Sequence, residues 1–334
     1  MESDTSEHEP SWIEGNTSDR DTTVYYVSVN GNNDSSGTSA DKPFRTLAKA
    51  FQTVRPGGKI LIMPGTYSES LGIQKCGSIQ DSILISGIGT PILDGLQQMA
   101  MGIFCETCYG LIFENLIIQN YTDIGIGIST CENMILRNLI IRENGYTVQL
   151  TDWEIEGYGL HAENSKNINI SYNDVYRNGP EPRIFPDYLM GSGINTYGNE
   201  NVIISHNRSF QNIGGGILAE DSENIIVEHN ECCQNNCDAS ADEWWDAGIW
   251  LDGGRNVIVR NNVFQATLGA GIEISDEDNQ DPYGYILENN LSTENYFGIY
   301  IWNFGTTEWP VTSVIRHSGN QFVNNSRIDL WIEQ

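Results

Sequence analysis

From about residue 100 onward, apolar and polar positions alternate with period two in short runs, separated by turns rich in Asn and Gly. One phrase returns: a Gly-Ile-x-Ile run, a turn containing Asn, a second apolar run, then two Asn five or six residues apart. It appears as GIGISTCENMILRNLIIREN, GLHAENSKNINISYNDVYRN, GINTYGNENVIISHNRSFQN, GILAEDSENIIVEHNECCQN, GIWLDGGRNVIVRNNVF, GIEISDEDNQDPYGYILENN and GIYIWNFG. The first Asn of the pair falls at Asn115, Asn138, Asn173, Asn207, Asn230, Asn262, Asn290 and Asn320. The shortest interval, 23 residues, is too short for two helices with their turns, whereas the alternation suits short strands. Each unit therefore predicts one coil of an all-β parallel solenoid. Inward Ile, Leu and Val stack from coil to coil, and the Asn columns are expected to form amide ladders at corners, where Asn tolerates the left-handed backbone.

A solenoid leaves its end strands unpaired and its core open, so it needs caps. In DKPFRTLAKAFQTVRPGG, the residues Leu47, Ala50, Phe51 and Val54 share one helical face, and Gly57 and Gly58 follow as stop signals. This predicts a helix over about residues 45–55, placed on the amino-terminal opening. Residues 1–22 read as a disordered acidic tail without the basic and apolar segments of a signal peptide, leaving residues 23–334 as the solenoid domain.

Charge narrows the partners. The 334 residues carry 45 acids against 17 bases, a formal net charge of −28, which lacks the basic footprint that nucleic acids and anionic membranes require. No apolar run approaches the ~18 residues of a membrane span. The seven Cys include Cys105, Cys108 and Cys131, and a loop group of Cys232, Cys233 and Cys237. With no second CxxC, they read as buried thiols or one or two disulfides rather than a zinc site.

The stretch YYVSVNGNNDSSGTSADKPFRTLAKAFQTVRPGGKILIMPGTYSE, followed by the Gly-Ile and Asn repeats, resembles the opening of secreted right-handed parallel β-helix proteins that act on polysaccharides. Pectate lyases, alginate lyases, mannuronan epimerases and several glycosidase families belong to that group, and the resemblance covers about residues 24–330. It implies a single-stranded right-handed parallel β-helix, a polysaccharide or oligosaccharide substrate, and an extracellular or cell-surface location. A capped solenoid is expected to be a monomer.

Strand geometry locates a candidate face, because alternate residues point out of a solenoid. One outward column reads Gly127, His161, Asn195, Leu218, Trp250, Glu273 and Tyr300; the next reads Ser129, Glu163, Tyr197, Glu220, Asp252, Ser275 and Trp302. Neither column contains Lys or Arg. Longer connections, with Trp153, Phe185, Tyr188, Trp244 and Trp245, precede Gly159, Gly193 and Gly248 and are expected to wall this face.

The expected cleft centres on Glu220 and Asp252, with Glu273 one coil further. Carboxylates this close resist joint ionisation, which suits a general acid beside a nucleophile or base. Asp252 is the expected nucleophile or base, with Glu220 or Glu273 as acid and Asp246 a further acid on the same face. Trp250, Tyr300, Trp302 and Tyr197 are expected to stack on sugars, and His161 and Glu163 to bind hydroxyls. The leading expectation is a glycoside hydrolase that requires no cofactor.

Two other readings remain. A uronate lyase or C5-epimerase abstracts a proton beside a carboxylate, and family lyases commonly use Lys or Arg with Ca2+; here a His161 and Tyr197 pair would have to replace that base. The epimerase signature Asp-Pro-His-Glu is absent, since the matching strand reads Gly159, Leu160, His161, Ala162, Glu163. A non-catalytic glycan-binding solenoid is the third, with the acids serving solvation or Ca2+, for which Asp276, Asp278 and Asp281 form a second loose candidate.

Overall fold

The computed structural model describes residues 11–145, 155–180, 189–237, 246–277, 283–302 and 314–332. Its strands form three long parallel sheets of 11, 11 and 10 strands, and successive coils contribute one strand to each. One coil runs through Ile124–Ser129, Glu132–Arg137 and Ile140–Arg142 before the chain returns to the first sheet at Tyr158–Glu163. Pairing is in register, with Ile126 beside Leu160 and Ile128 beside Ala162. The expected parallel β-helix is therefore present. Inward side chains such as Ile126, Leu160, Ile194, Ile217, Ile249, Ile272 and Ile299 are fully buried and build one continuous core.

Side-chain ladders hold the corners between sheets. At one inner corner Asn173, Asn207, Asn230, Asn262, Asn290 and Asn320 pass an amide hydrogen bond along the axis, each Nδ2 donating to the next Oδ1 at 2.9–3.0 Å. Each Nδ2 of Asn207, Asn230, Asn262 and Asn290 also donates to a strand carbonyl, so buried polar groups stay satisfied. Asn115 and Asn138, expected in this column, sit one residue outside it with φ of 59° and 52°. Leu116 and Leu139 take the inner position, because the first coils close their corner with apolar side chains. The second Asn of each repeat builds a parallel ladder through Asn144, Asn178, Asn212 and Asn235. That ladder explains the repeated Gly: a Cβ on Gly159 would fall 2.7 Å from Asn178 Nδ2.

A third column stacks Cys108, Cys131, Ser165, Asn199 and Ser222 where the first sheet turns into the second. The Cys108 amide donates to Cys131 Sγ (3.3 Å), Cys131 to Ser165 Oγ (2.9 Å), Ser165 to Asn199 Oδ1 (2.8 Å) and Asn199 to Ser222 Oγ (3.0 Å). All seven cysteines are free thiols. Thiols thus occupy the amino-terminal rungs of a ladder that hydroxyls and amides continue.

The helix Leu47–Thr53 caps the amino-terminal end and buries Leu47, Ala50 and Phe51. Its first turn is held by Thr46 Oγ1, which accepts from the Lys49 amide, and by the Glu69 carboxylate, which accepts from the Leu47 and Ala48 amides. Residues 11–22 depart from the disordered tail expected of them. Ser11–Glu14 pairs in parallel with Leu71–Gln74, Asn16 Nδ2 donates to the Gln52 and Val54 carbonyls at the helix C-terminus, and Arg20 bridges Asp81 at 2.9 Å. The acidic composition concealed this role because only Ile13 turns inward. Residues 1–10 lie outside the described residues.

Candidate functional site

The outward face of the first sheet brings the expected columns together. His161 pairs with Asn195, Asn195 with Leu218, Leu218 with Trp250, Trp250 with Glu273 and Glu273 with Tyr300. In the second column Ser129 pairs with Glu163, Glu163 with Tyr197, Tyr197 with Glu220, Glu220 with Asp252 and Asp252 with Ser275. Trp302 follows the strand Phe297–Ile301 and donates its amide to Ile274.

Burial splits this face. Toward the carboxyl-terminal coils, Leu218, Ala247, Trp250, Ala270, Phe297 and Tyr300 form a second apolar cluster outside the solenoid wall, with Tyr296, Trp302 and Trp331 packed on it. Glu273, expected on an open surface, lies inside that cluster at 0% exposure. The Trp302 indole N–H donates to Glu273 Oε1 at 2.6 Å, and Oε2 is buried with no hydrogen-bond partner among the described residues. Burial pushes the Glu273 carboxyl well above its ordinary value, the nearby acids Asp246, Glu277 and Asp252 push the same way, and the Trp302 donor opposes them. Burial therefore favours the protonated form of this carboxyl.

Asp252 sits differently. Its Oδ1 accepts from the Ser275 hydroxyl at 2.7 Å and from the Glu277 amide at 3.0 Å, while Ser275 Oγ accepts from the Trp250 indole at 2.8 Å. Two donors on one oxygen suit an anion. The arrangement places a fully desolvated carboxyl group one coil from a carboxyl group held by two hydrogen-bond donors. Asp246 lies beside them, its carboxylate close to the backbone of Gly214 and Gly215.

The amino-terminal part of the face is more open. Tyr197 is exposed, and Glu220 and Glu163 are half-buried. Glu163 accepts from Ser129 Oγ at 2.7 Å and lies 3.7 Å from His161 Nε2, whose ring rests on Tyr158 with centroids 5.1 Å apart. Trp153, Phe185, Tyr188, Trp244 and Trp245, expected to wall the cleft, lie outside the described residues, as do Asp278 and Asp281. Among the described residues no three His, Cys, Asp or Glu side chains converge as a metal site. The central carboxyls are engaged by protein donors instead, Glu273 Oε1 by the Trp302 indole and Asp252 Oδ1 by the Ser275 hydroxyl and the Glu277 amide.

Two participants escaped the sequence reading. Ser275 stood in the outward column without a role, and its place between Trp250 and Asp252 depends on rotamers that periodicity does not report. Trp331, in register with Tyr300, belongs to Ile328–Ile332, a last coil with no Gly-Ile signature.

The sequence profile of the right handed beta helix region family matches residues 95–239 and 187–326. Among solved structures, a pectate lyase, Pel9A, superposes with a TM-score of 0.66 at 17% identity, covering 91% of this chain and 79% of its own. A GH136 lacto-N-biosidase from Eubacterium ramulus gives a TM-score of 0.54 at 13% identity, covering 92% and 68%. In sequence, the uncharacterized protein YwoF of Bacillus subtilis (strain 168) is 43% identical over 53 residues, 16% of this chain and 11% of that protein. The chain thus matches about a tenth of that relative's length, and the two structures speak to fold alone.

Proposed function

Since the chain belongs to the right-handed β-helix family, we propose that it is a carbohydrate-active enzyme, a glycoside hydrolase that cleaves a neutral glycan on the outward face of its first sheet. Glu273 is the general acid and Asp252 the nucleophile or base. The observation that carries this reading is the contrast between them: Glu273 is fully buried under Trp302, and Asp252 is held by Ser275 and Glu277. A glycosidase needs two carboxyl groups in opposite protonation states beside one bond, and environments that push them apart assign the roles. Trp302, half-buried, supplies apolar surface for a sugar ring, whereas Trp250 and Tyr300, expected to stack on sugars, are buried and support Trp302 from within the cluster; Glu220 and Asp246 complete the acidic surround. The absence of Lys and Arg from both columns disfavours a uronate, whose carboxylate would need neutralising. On this reading the protein acts outside the cell or on its surface, where polysaccharides are met, and serves there as a capped monomeric solenoid.

Digestion of a polysaccharide panel tests the class. New reducing ends without the ultraviolet absorbance of an unsaturated uronate support hydrolysis. That absorbance would instead favour a lyase, with His161 and Tyr197 as its candidate acid and base. Glu273→Gln and Asp252→Asn should each lower kcat by about a hundred- to ten-thousandfold, the usual weight of acid–base catalysis. Full activity in both variants would remove the site assignment. Glycan binding without turnover would point to a binding solenoid.

A further inference from the structure

We propose that Trp12 and Phe104 form a distal sugar platform on the catalytic face, so that the protein grips a long neutral polysaccharide lying along the solenoid axis. This rests on the hydrolase reading above. The column that ends in the carboxylate cluster begins with these residues: Trp12 pairs with Gly72, Gly72 with Phe104, Phe104 with Gly127 and Gly127 with His161. Trp12 points outward from the terminal strand and is 44% exposed, while its neighbour Ile13 is buried in the core. Core packing does not account for the indole.

Ring geometry separates this pair from the other aromatics on the surface. On the third sheet, Tyr176 and Phe210 stack at 4.7 Å and 15°, and at its corner Tyr172, His206 and His229 stack at 4.7 and 5.0 Å. Those rings cover one another's faces and suit a packing ladder. Trp12 and Phe104 instead meet edge to face, with centroids 5.8 Å apart and planes at 87°. Phe104 lies across Gly127, where a Cβ would collide with the ring. The glycine at Gly127 leaves the Phe104 ring room on the sheet, and the perpendicular arrangement leaves ring surface for the C–H face of a sugar.

Polar groups flank the platform in the second column. Gln74 Nε2 donates to Glu106 Oε2 at 2.7 Å, and Lys75 pairs with Glu14 at 3.0 Å. Planar amides and carboxylates beside an aromatic ring are the groups that bind hydroxyls. Between the platform and the carboxylates the face continues through Ser129, Glu163, His161 and Tyr197. Six strand steps separate Met101–Glu106 from Ala270–Ser275, and at ~4.8 Å per step the span is about 29 Å. A glycan touching both ends is several sugars long, which implies endo cleavage of a polymer.

The test uses the Asp252→Asn protein, titrated calorimetrically with xylan, mannan and laminarin and with the trisaccharide of each. Adding Trp12→Ala should cut the preference for at least one polymer over its trisaccharide about tenfold, the weight of one aromatic contact. Trp12→Phe should restore most of it, and Phe104→Ala should reproduce the loss. Thermal unfolding of each variant reports whether the terminal strand is kept. An unchanged preference in Trp12→Ala and Phe104→Ala would overturn the platform and leave the hydrolase reading standing. An equal loss of polymer and trisaccharide would overturn it too, as an effect on the fold. Failure of every polymer to bind, together with no cleavage by the parent protein, would overturn both.

Discussion

Glu273 costs the fold stability while serving its chemistry. Its carboxyl is raised above the unfolded value, so the folded protein holds the extra proton, and stability falls as pH climbs from the ordinary carboxyl range toward the raised value. Glu273→Gln keeps the shape and removes the titration. The variant should therefore lose activity yet unfold at a higher temperature than the parent at neutral and alkaline pH, the gap closing below about pH 4, near the ordinary carboxyl pKa. A thermal unfolding series against pH measures it. Trp302 supplies the opposing influence, since its indole N–H favours the ionised carboxyl. Trp302→Phe should raise the Glu273 pKa further and move the alkaline limb of the pH–activity profile upward; a downward move would contradict the role given to the indole. The column holding Glu273 was legible in the sequence because strand alternation fixes which side chains leave the solenoid. Its burial was not, because Trp302, Tyr300 and Trp331 come from other coils and only register brings them over it.

Among the repeating elements, the Asn column is the tightest corner. Asn207 accepts from the Asn173 amide and side chain, donates to the Ile170 carbonyl at 2.9 Å and to Asn230 Oδ1 at 3.0 Å, and donates its own amide to the same oxygen at 2.9 Å. Alanine there strands several buried groups at once, and at ~1–3 kcal/mol for each unsatisfied group the loss should exceed about 2 kcal/mol. Urea unfolding of Asn207→Ala reads it, and a cost below that would mean the ladder closes over the gap. The repeat spacing exposed this column from Asn173 onward. It misplaced Asn115 and Asn138 by one residue, because an Asn in a left-handed corner and an Asn in the inner ladder look alike until the neighbouring Leu116 or Leu139 is seen to turn inward.

Across the whole molecule, stability is a chain of nearest-neighbour contacts between coils, so the ends matter disproportionately. Ser11–Glu14 completes the first sheet, and Asn16 closes the helix C-terminus against it. Deleting residues 1–22 should therefore lower the midpoint of thermal unfolding, by about 1–2 °C for each ~1 kcal/mol lost in a chain of this length; an unchanged midpoint would return the segment to the status of a tail. The net charge of −28 was visible from composition, but its distribution was not: Glu69 caps a helix, Glu273 is buried in an apolar pocket that pushes its pKa up, and Glu228 and Glu114 are paired with Arg260 and Arg137. The stacked thiols have a practical consequence of their own. Burial pushes Cys76 up to about 12, while neighbouring thiols and then burial push Cys131 upward as well. Attack on alkylating reagents and disulfides requires the thiolate, so Cys76 and Cys131 react slowly while the protein is folded. Unfolding returns them to ordinary reactive thiols, so their alkylation reports the opening of the amino-terminal coils.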